Sequence, residues 1–259
     1  MAAKLHDDGH HACVMFADLV GEVHGEASQS NQYLVVDGGH GALVDPGGNM
    51  TYNALFMACA PHFPAQRVEA ILATNADADA VASLGHWLLS AHCRVYVPAL
   101  WAQSVPHLSG AGRAAGRIAA IPDPGAAIVL GDAVIHAVPA HFLHSAGNVH
   151  FYDPVARVLF SGDLASSAVP GDEAQVPVEG DLGAHVAAMA PFHRRAMAAN
   201  KVLRLWTKMA RQLDLEWIAP RRGRPLKGKR AIGQFFDWLE TLACGTDLVD
   251  ADTYRPPGG

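Results

Sequence analysis

The chain has 259 residues, half of them hydrophobic and 17% charged, with a net charge of −6. That length and composition bury a real core, in one large α/β domain or two small ones, and exclude a disordered chain. The acidic balance argues against a general nucleic-acid binder.

The N-terminus, MAAKLHDDGHHACVMF, lacks the apolar stretch of a signal peptide, and no apolar run is long enough for a membrane span. Short β-type runs then recur: CVMFADLV (13–20), QYLVVD (32–37), GALVDPG (41–47), EAILAT (69–74), CRVYVP (93–98), AAIVL (126–130), AVIHAVP (133–139), NVHFYD (148–153), RVLFSGD (157–163) and LEWIAP (215–220). Glycine or proline punctuates most of them. Helices are predicted between them, over 50–61, 79–92, 182–213 with a break near Pro191, and 229–242. In the second, Val81, Leu84, Trp87 and Leu88 share one face. Residues 165–180 read as a loop over a site. The expectation is one α/β domain over 1–259, flexible at 1–11 and 252–259. Cys13, Cys59, Cys93 and Cys244 stand far apart with no CxxC pair, which fits reduced thiols in a cytosolic protein.

Four loops that follow strand-like runs carry polar groups able to do chemistry. TNADADA offers Asn75, Asp77 and Asp79, which point to one side if the chain stays extended. PAHFLHSAGN offers His141 and His144, FSGDLASS offers Asp163, and APRRGRP offers Arg221, Arg222 and Arg224. Carboxylates with imidazole suit iron, manganese or zinc. Each loop also has a plainer reading: Asp79 as a helix cap, His144 as a hydrogen-bonded loop residue, Asp163 as a turn residue.

Taken together, the loops resemble the metallo-β-lactamase superfamily, and within it the di-iron domain of flavodiiron proteins and the related stand-alone oxygen-binding di-iron proteins. Asn75-Ala76-Asp77-Ala78-Asp79 occupies the frame of that branch's His-x-(Glu/Asp)-x-Asp. His144 stands 19 positions before Asp163, and Arg222-Gly223 sits where a last His-Gly would fall. SNQYLVVDGGHGALVDPGG, AHFLHSAGNVHFYDPVARVLFSGDL, NKVLRLW and FFDWLETLACGTDL also look like that branch. The resemblance implies a four-layer αβ/βα sandwich. It implies one metal on Asn75, Asp77, His144 and Asp163, and a second on Asp79, Asp163 and the position of Arg222, with Asp163 bridging.

Two departures stand out. Asn75 offers only a neutral amide oxygen, and Arg222 has no lone pair to donate. Converging carboxylates without a cation repel one another. The expectation is therefore that Arg222 takes the place of the second metal by pairing with Asp79 and Asp163; the alternative is a solvated basic loop running from Arg221 to Arg230. His86 and His141 are possible supporting groups around the site, and His6, His10 and His11 read as a mobile polar segment.

Function, as the resemblance implies it, is oxygen or nitric oxide handling, or oxygen and redox sensing, in the cytoplasm. The cofactor would be iron as one ion, a pair or none, with zinc or manganese as alternatives. FMN is not expected, because the chain shows no flavodoxin-like unit. Expected partners are O2, a redox or signalling protein and a second copy of the chain, with no nucleic acid and no membrane. Two other readings stay open: a metal-free binding or regulatory module, and a metal-dependent hydrolase.

Overall fold

The apolar runs assemble into two seven-stranded sheets. The structure, a computed structural model, describes residues 2–20, 29–110 and 112–254. The first sheet takes β1 (Ala2–Asp7), β2 (His11–Ala17), β3 (Asn31–Asp37), β4 (His40–Val44), β5 (Val68–Leu72), β6 (Arg94–Pro98) and β7 (Ile118–Ile121) side by side in that order. Neighbours from β1 to β4 are antiparallel, with short turns joining β1 to β2 and β3 to β4. From β4 to β7 they are parallel. Parallel pairing requires crossovers, and these contain α1 (Tyr52–Cys59), α2 (Ala78–Val81), α3 (Leu84–Ser90) and α4 (Val105–Ser109).

The second sheet is built from β8 (Ala126–Leu130), β9 (Ala133–Pro139), β10 (Val149–Asp153), β11 (Val158–Gly162), β12 (Val178–Glu179), β13 (Trp217–Pro220) and β14 (Leu226–Lys227). Its spatial order is β12-β14-β13-β11-β10-β9-β8. Helices α5 (Gly183–Ala196), α6 (Asn200–Ala210) and α7 (Gly228–Thr241) cover its outer face.

Strand alternation decides the layers. Met15, Val35, Phe151, Phe160 and Ala219 pack between the two sheets. Phe16, Leu34 and Ile71 turn outward onto Leu55 and Trp87 of the first helical layer. Leu159 and Ile218 turn the other way, onto Leu203 and Phe235. The result is the four-layer αβ/βα sandwich.

Several elements differ from the sequence reading. Within 1–11, where flexibility is expected, β1 pairs along β2 from Ala2↔Phe16 to Asp7↔Ala12, and Leu5 packs on the core. The 79–92 helix is divided, because the Ser83 backbone N–H and hydroxyl both donate to the Gly47 carbonyl, at 3.1 and 2.7 Å. The 182–213 break falls at residues 197–199, not near Pro191. Met197 and Ala199 are extended there, while Pro191 lies inside α5. Weakly patterned β7, β12, β14 and α4 give no clear sequence signal, and β12 ends the 165–180 segment. Residues 255–259 of the expected flexible tail lie outside the described residues.

One end of the sandwich is tied by a buried ionic triad. His11 begins β2, Asp37 ends β3 and Asp153 ends β10; each is at most 2% exposed. The imidazole Nδ1 lies 2.9 Å from Asp37 and Nε2 lies 2.8 Å from Asp153, an arrangement that an imidazolium satisfies at both nitrogens. Burial opposes the His11 charge, yet the hydrogen bonds and charges of Asp153 and Asp37 outweigh it and raise the His11 pKa. Burial also opposes the Asp37 charge, but His11 and the amides of Asp132 and Ala133 hold its pKa below the ordinary value.

The linkage signs follow from these directions. The His11 contribution is complete below its unfolded pKa of 6.5 and is lost as pH rises through the raised folded value. The Asp37 contribution is present above 3.8 and is lost on acidification. Replacing His11 by Leu leaves two buried carboxylates unpaired and should cost about 3 kcal/mol or more. Urea unfolding should show a larger loss at about pH 5.5 than at about pH 8.5. An equal loss at both values would mean that the triad carries no ionic stabilisation.

Candidate functional site

At the opposite end, loops following β4, β5, β9, β11 and β13 converge. Beyond β5, Thr74 donates its backbone N–H and hydroxyl to Asp45, at 2.8 and 2.7 Å. Asn75 is fully buried. Its Oδ1 accepts the Asp77 N–H at 3.0 Å, and this local turn starts α2. Asp77 stands at the helix N-cap position, but its side chain makes no cap bond and turns to His144, leaving Asp79 in the first helical turn.

His144 comes from a constrained loop. Phe142 and His144 both have left-handed backbones, with φ of 64° and 82°. Buried Leu143 anchors the loop, and its carbonyl accepts from the Asn148 side chain. His144 Nε2 lies 3.0 Å from Asp77 and 3.9 Å from Asp163. Asp163 follows β11 and is 1% exposed. Next to it, Ala165 turns with φ 68° and donates its N–H to His193 Nε2 at 3.0 Å. His193 Nδ1 donates to the Met189 carbonyl at 2.8 Å, and burial pushes its pKa down to about 4, so this imidazole is neutral.

The residue that reaches Asp163 is Arg221, 1% exposed. Its Nη2 lies 2.7 and 2.6 Å from the two Asp163 oxygens, 3.4 Å from Asp77 and 3.6 Å from Asp79. Its Nη1 donates to Asn75 Oδ1 at 3.2 Å, and the Asn75 amide donates to Asp163 at 3.1 Å. Among the described residues, Arg222 pairs with Asp79 and not with Asp163. The neutralising role expected of Arg222 alone is therefore divided: Arg222 meets Asp79, and Arg221 meets Asp163.

The backbone at Arg221 is fixed from both sheets. Its N–H donates to Gly162 at 2.7 Å and its carbonyl accepts the Asn31 N–H at 2.6 Å. The Asn31 amide and the Tyr33 hydroxyl hold the Pro220 carbonyl, at 2.9 and 2.6 Å. Gly223, with φ 75°, lies against Ser167, where a side chain would collide.

Mutual charge sets the electrostatics. Burial disfavours the Arg221 cation, but Asp163, Asp79 and Asp45 raise its pKa above the usual arginine value. A hydrogen bond from His144 lowers the Asp77 pKa against burial, with help from Arg221; the same bond raises the pKa of His144. Burial pushes Asp45 up to about 6, opposed by Arg221 and the Thr74 bonds.

Asp77, His144 and Asp163 each present a ligand atom, all within 4.8 Å of one another. Both Asp163 oxygens are already engaged by Arg221. A second group, His10, Asp37 and Asp132, lies at the other end beside the His11 triad. Two expected supporting histidines lie elsewhere: His86 stacks on Tyr52, ring centroids 4.9 Å apart, and His141 Nε2 lies 3.0 Å from the Asp123 carbonyl. Sequence reasoning missed Asp45, His193 and the role of Arg221. A signal for the last was present. Trp217 and Ala219 face the inter-sheet core, so period-2 alternation carries Arg221 inward as well.

Two mixed sheets between helical layers, with carboxylates and a histidine gathered on strand-end loops, define a metallo-β-lactamase-fold protein. The chain belongs to the ODP family of beta-lactamases, whose family model matches residues 28–223. It is similar to two solved structures of the chemotaxis sensor ODP, each at 30% identity. One, a peroxy diiron species, has a TM-score of 0.82, with 95% of this chain and 97% of that chain covered. The other, the apo state from T. denticola, has a TM-score of 0.85, with 96% and 97% covered. The flavodiiron protein from Giardia intestinalis shares the fold at 15% identity and a TM-score of 0.76, over 92% of this chain and 58% of that one. No curated protein matches the sequence.

Replacing Arg221 by Met should cost about 3 kcal/mol or more, because Asp163 is left buried without a counter-charge. In a double-mutant cycle with Asp163→Asn, the combined loss should fall well short of the sum of the single losses. Additive losses in chemical unfolding would show that the pair does not act as a unit.

Proposed function

We propose that this chain is a sensor-type regulatory domain of the ODP family that works without a metal pair, the Arg221 guanidinium taking a cation's place among Asp77, Asp79 and Asp163. The carrying observation is the position of Arg221 Nη2, within 2.6 to 3.6 Å of all three carboxylates. The Arg221 and Arg222 guanidinium groups and the His144 hydrogen bond to Asp77 offset the charges of these three carboxylates. The donor set does not fit two metals: an amide stands at 75, and Arg222 offers Asp79 a cation in place of a nitrogen lone pair. The sensor role is supported by the relatives described as chemotaxis sensor ODP. It implies a signalling protein partner in the cytoplasm, with a second copy of the chain as a further partner. No described helix is long and apolar enough to cross a membrane.

A second reading has its own observation. Asp77, His144 and Asp163 would hold one iron if Arg221 released Asp163, because their donor atoms already lie within 4.8 Å. That site would contain one imidazole among oxygen donors, suited to iron, manganese or zinc. Iron bound there would supply oxygen binding, as in the di-iron relatives; Asn75 and Asp79 would border it.

Metal analysis separates the readings. Untagged protein from iron-supplemented cells should carry no stoichiometric iron, zinc or manganese. Arg221→His, which removes the guanidinium and adds an imidazole, should take up metal more readily than the wild type. About one ion per wild-type chain, lost in Asp163→Ala, would establish the single-metal reading in its place.

A further inference from the structure

Beside the cluster lies a cleft of about 510 Å3, within the range of small-molecule sites. Arg222, Ser166, Ser167 and Gln29 supply its polar lining; Phe192, Val169 and Ala168 are among its apolar residues. Gln29 is already engaged, its Oε1 accepting the Gly223 N–H at 2.7 Å and its Nε2 donating to Asn31 at 2.6 Å. The Ser167 hydroxyl accepts the Arg224 N–H at 3.2 Å, whereas Ser166 and Arg222 keep unmet hydrogen-bonding capacity among the described residues. Ser166 is 3% exposed and its hydroxyl has no partner among the described residues. Arg222 bonds Asp79 through Nη2, while its buried Nε lacks an acceptor among the described residues.

Buried donors without acceptors are costly, and a carboxylate relieves both kinds: it accepts from a hydroxyl and pairs with a guanidinium in fork geometry. The lining also limits the ligand. Asp77 and Asp79 are partly exposed nearby and repel a second negative charge. The Phe192 ring and Val169 offer contact to an apolar body. A single carboxylate on a short aliphatic or aromatic frame meets these conditions; a phosphate or a dicarboxylate does not.

We propose that this cleft binds a small apolar monocarboxylic acid, its carboxylate on Arg222 and Ser166 and its body against Phe192 and Val169. The bound acid adjoins the cluster at two points. Arg222 holds Asp79, and the Phe192 ring lies 5.7 Å from that of His144. The inference rests on the metal-independent reading, because Arg222 must remain on Asp79, and it names a ligand class for that regulatory domain.

Calorimetric titration of wild-type protein with benzoate, with metal content measured on the same sample, tests it. Saturable binding is expected, with benzamide at least about tenfold weaker because it lacks the charge. Ala168→Trp, which fills the cleft without touching the cluster, and Arg222→Gln should each weaken benzoate binding by about tenfold or more. Absent saturation, equal binding of benzamide, or benzoate affinity unchanged in both variants would overturn the proposal. Metal-free protein that ignores benzoate refutes this inference alone, whereas stoichiometric metal in the wild type refutes the reading on which it rests.

Discussion

The Arg221–Asp163 pair is the constraint on which the site end of the molecule depends. Both side chains are 1% exposed, and their closest approach is 2.6 Å. Two charges taken out of water are tolerated only with close pairing and with their remaining hydrogen-bonding capacity met. Asn75 meets part of both needs, accepting from Arg221 and donating to Asp163. The pair therefore joins the β5 loop of one sheet to the β11 and β13 ends of the other. Lysine, a point charge without a planar fork, cannot reach Asn75 and Asp163 together in this way.

Polar ties close the sandwich at both ends, with an apolar core between. At one end His11 is held between Asp37 of its own sheet and Asp153 of the opposite sheet. At the other, Arg221 plays the corresponding part, its backbone fixed by Asn31 and Gly162. Apolar packing between sheets is not directional, whereas buried ion pairs demand defined geometry. The two ties thus fix the alignment of one sheet on the other.

Much of this was legible in the sequence. Period-2 runs gave the central strands, and carboxylates or histidine just beyond them gave Asp77, Asp79, His144 and Asp163. What escaped was short or set by distant contacts. The four-residue β7 and the two-residue β12 and β14 exist through their neighbours rather than through pattern. The kink at Ser83 depends on Gly47, which is remote in sequence. Arg221 was overshadowed by motif alignment, which points to Arg222 beside Gly223, although strand alternation directs the preceding residue inward. Asp45 falls within the strand-like run GALVDPG, and only burial beside Thr74 reveals its link to the cluster.

On the reading proposed above, a guanidinium in place of a metal changes what such a site can transmit. A metal ion is exchangeable and can change redox state; Arg221 is covalently fixed and permanently charged. The cluster can then hold its loops together without a cofactor, and any signal must enter through groups that remain mobile or unsatisfied. Among the described residues these are the buried Arg222 Nε and Ser166 hydroxyl, which line the cleft beside the cluster. The buried side, Arg221 with Asp163 and Asn75, has little hydrogen-bonding capacity left to exchange. The division of labour is structural support within and recognition at the rim. On the proposed metal-independent reading, this division lets the family scaffold keep its carboxylates without two metals.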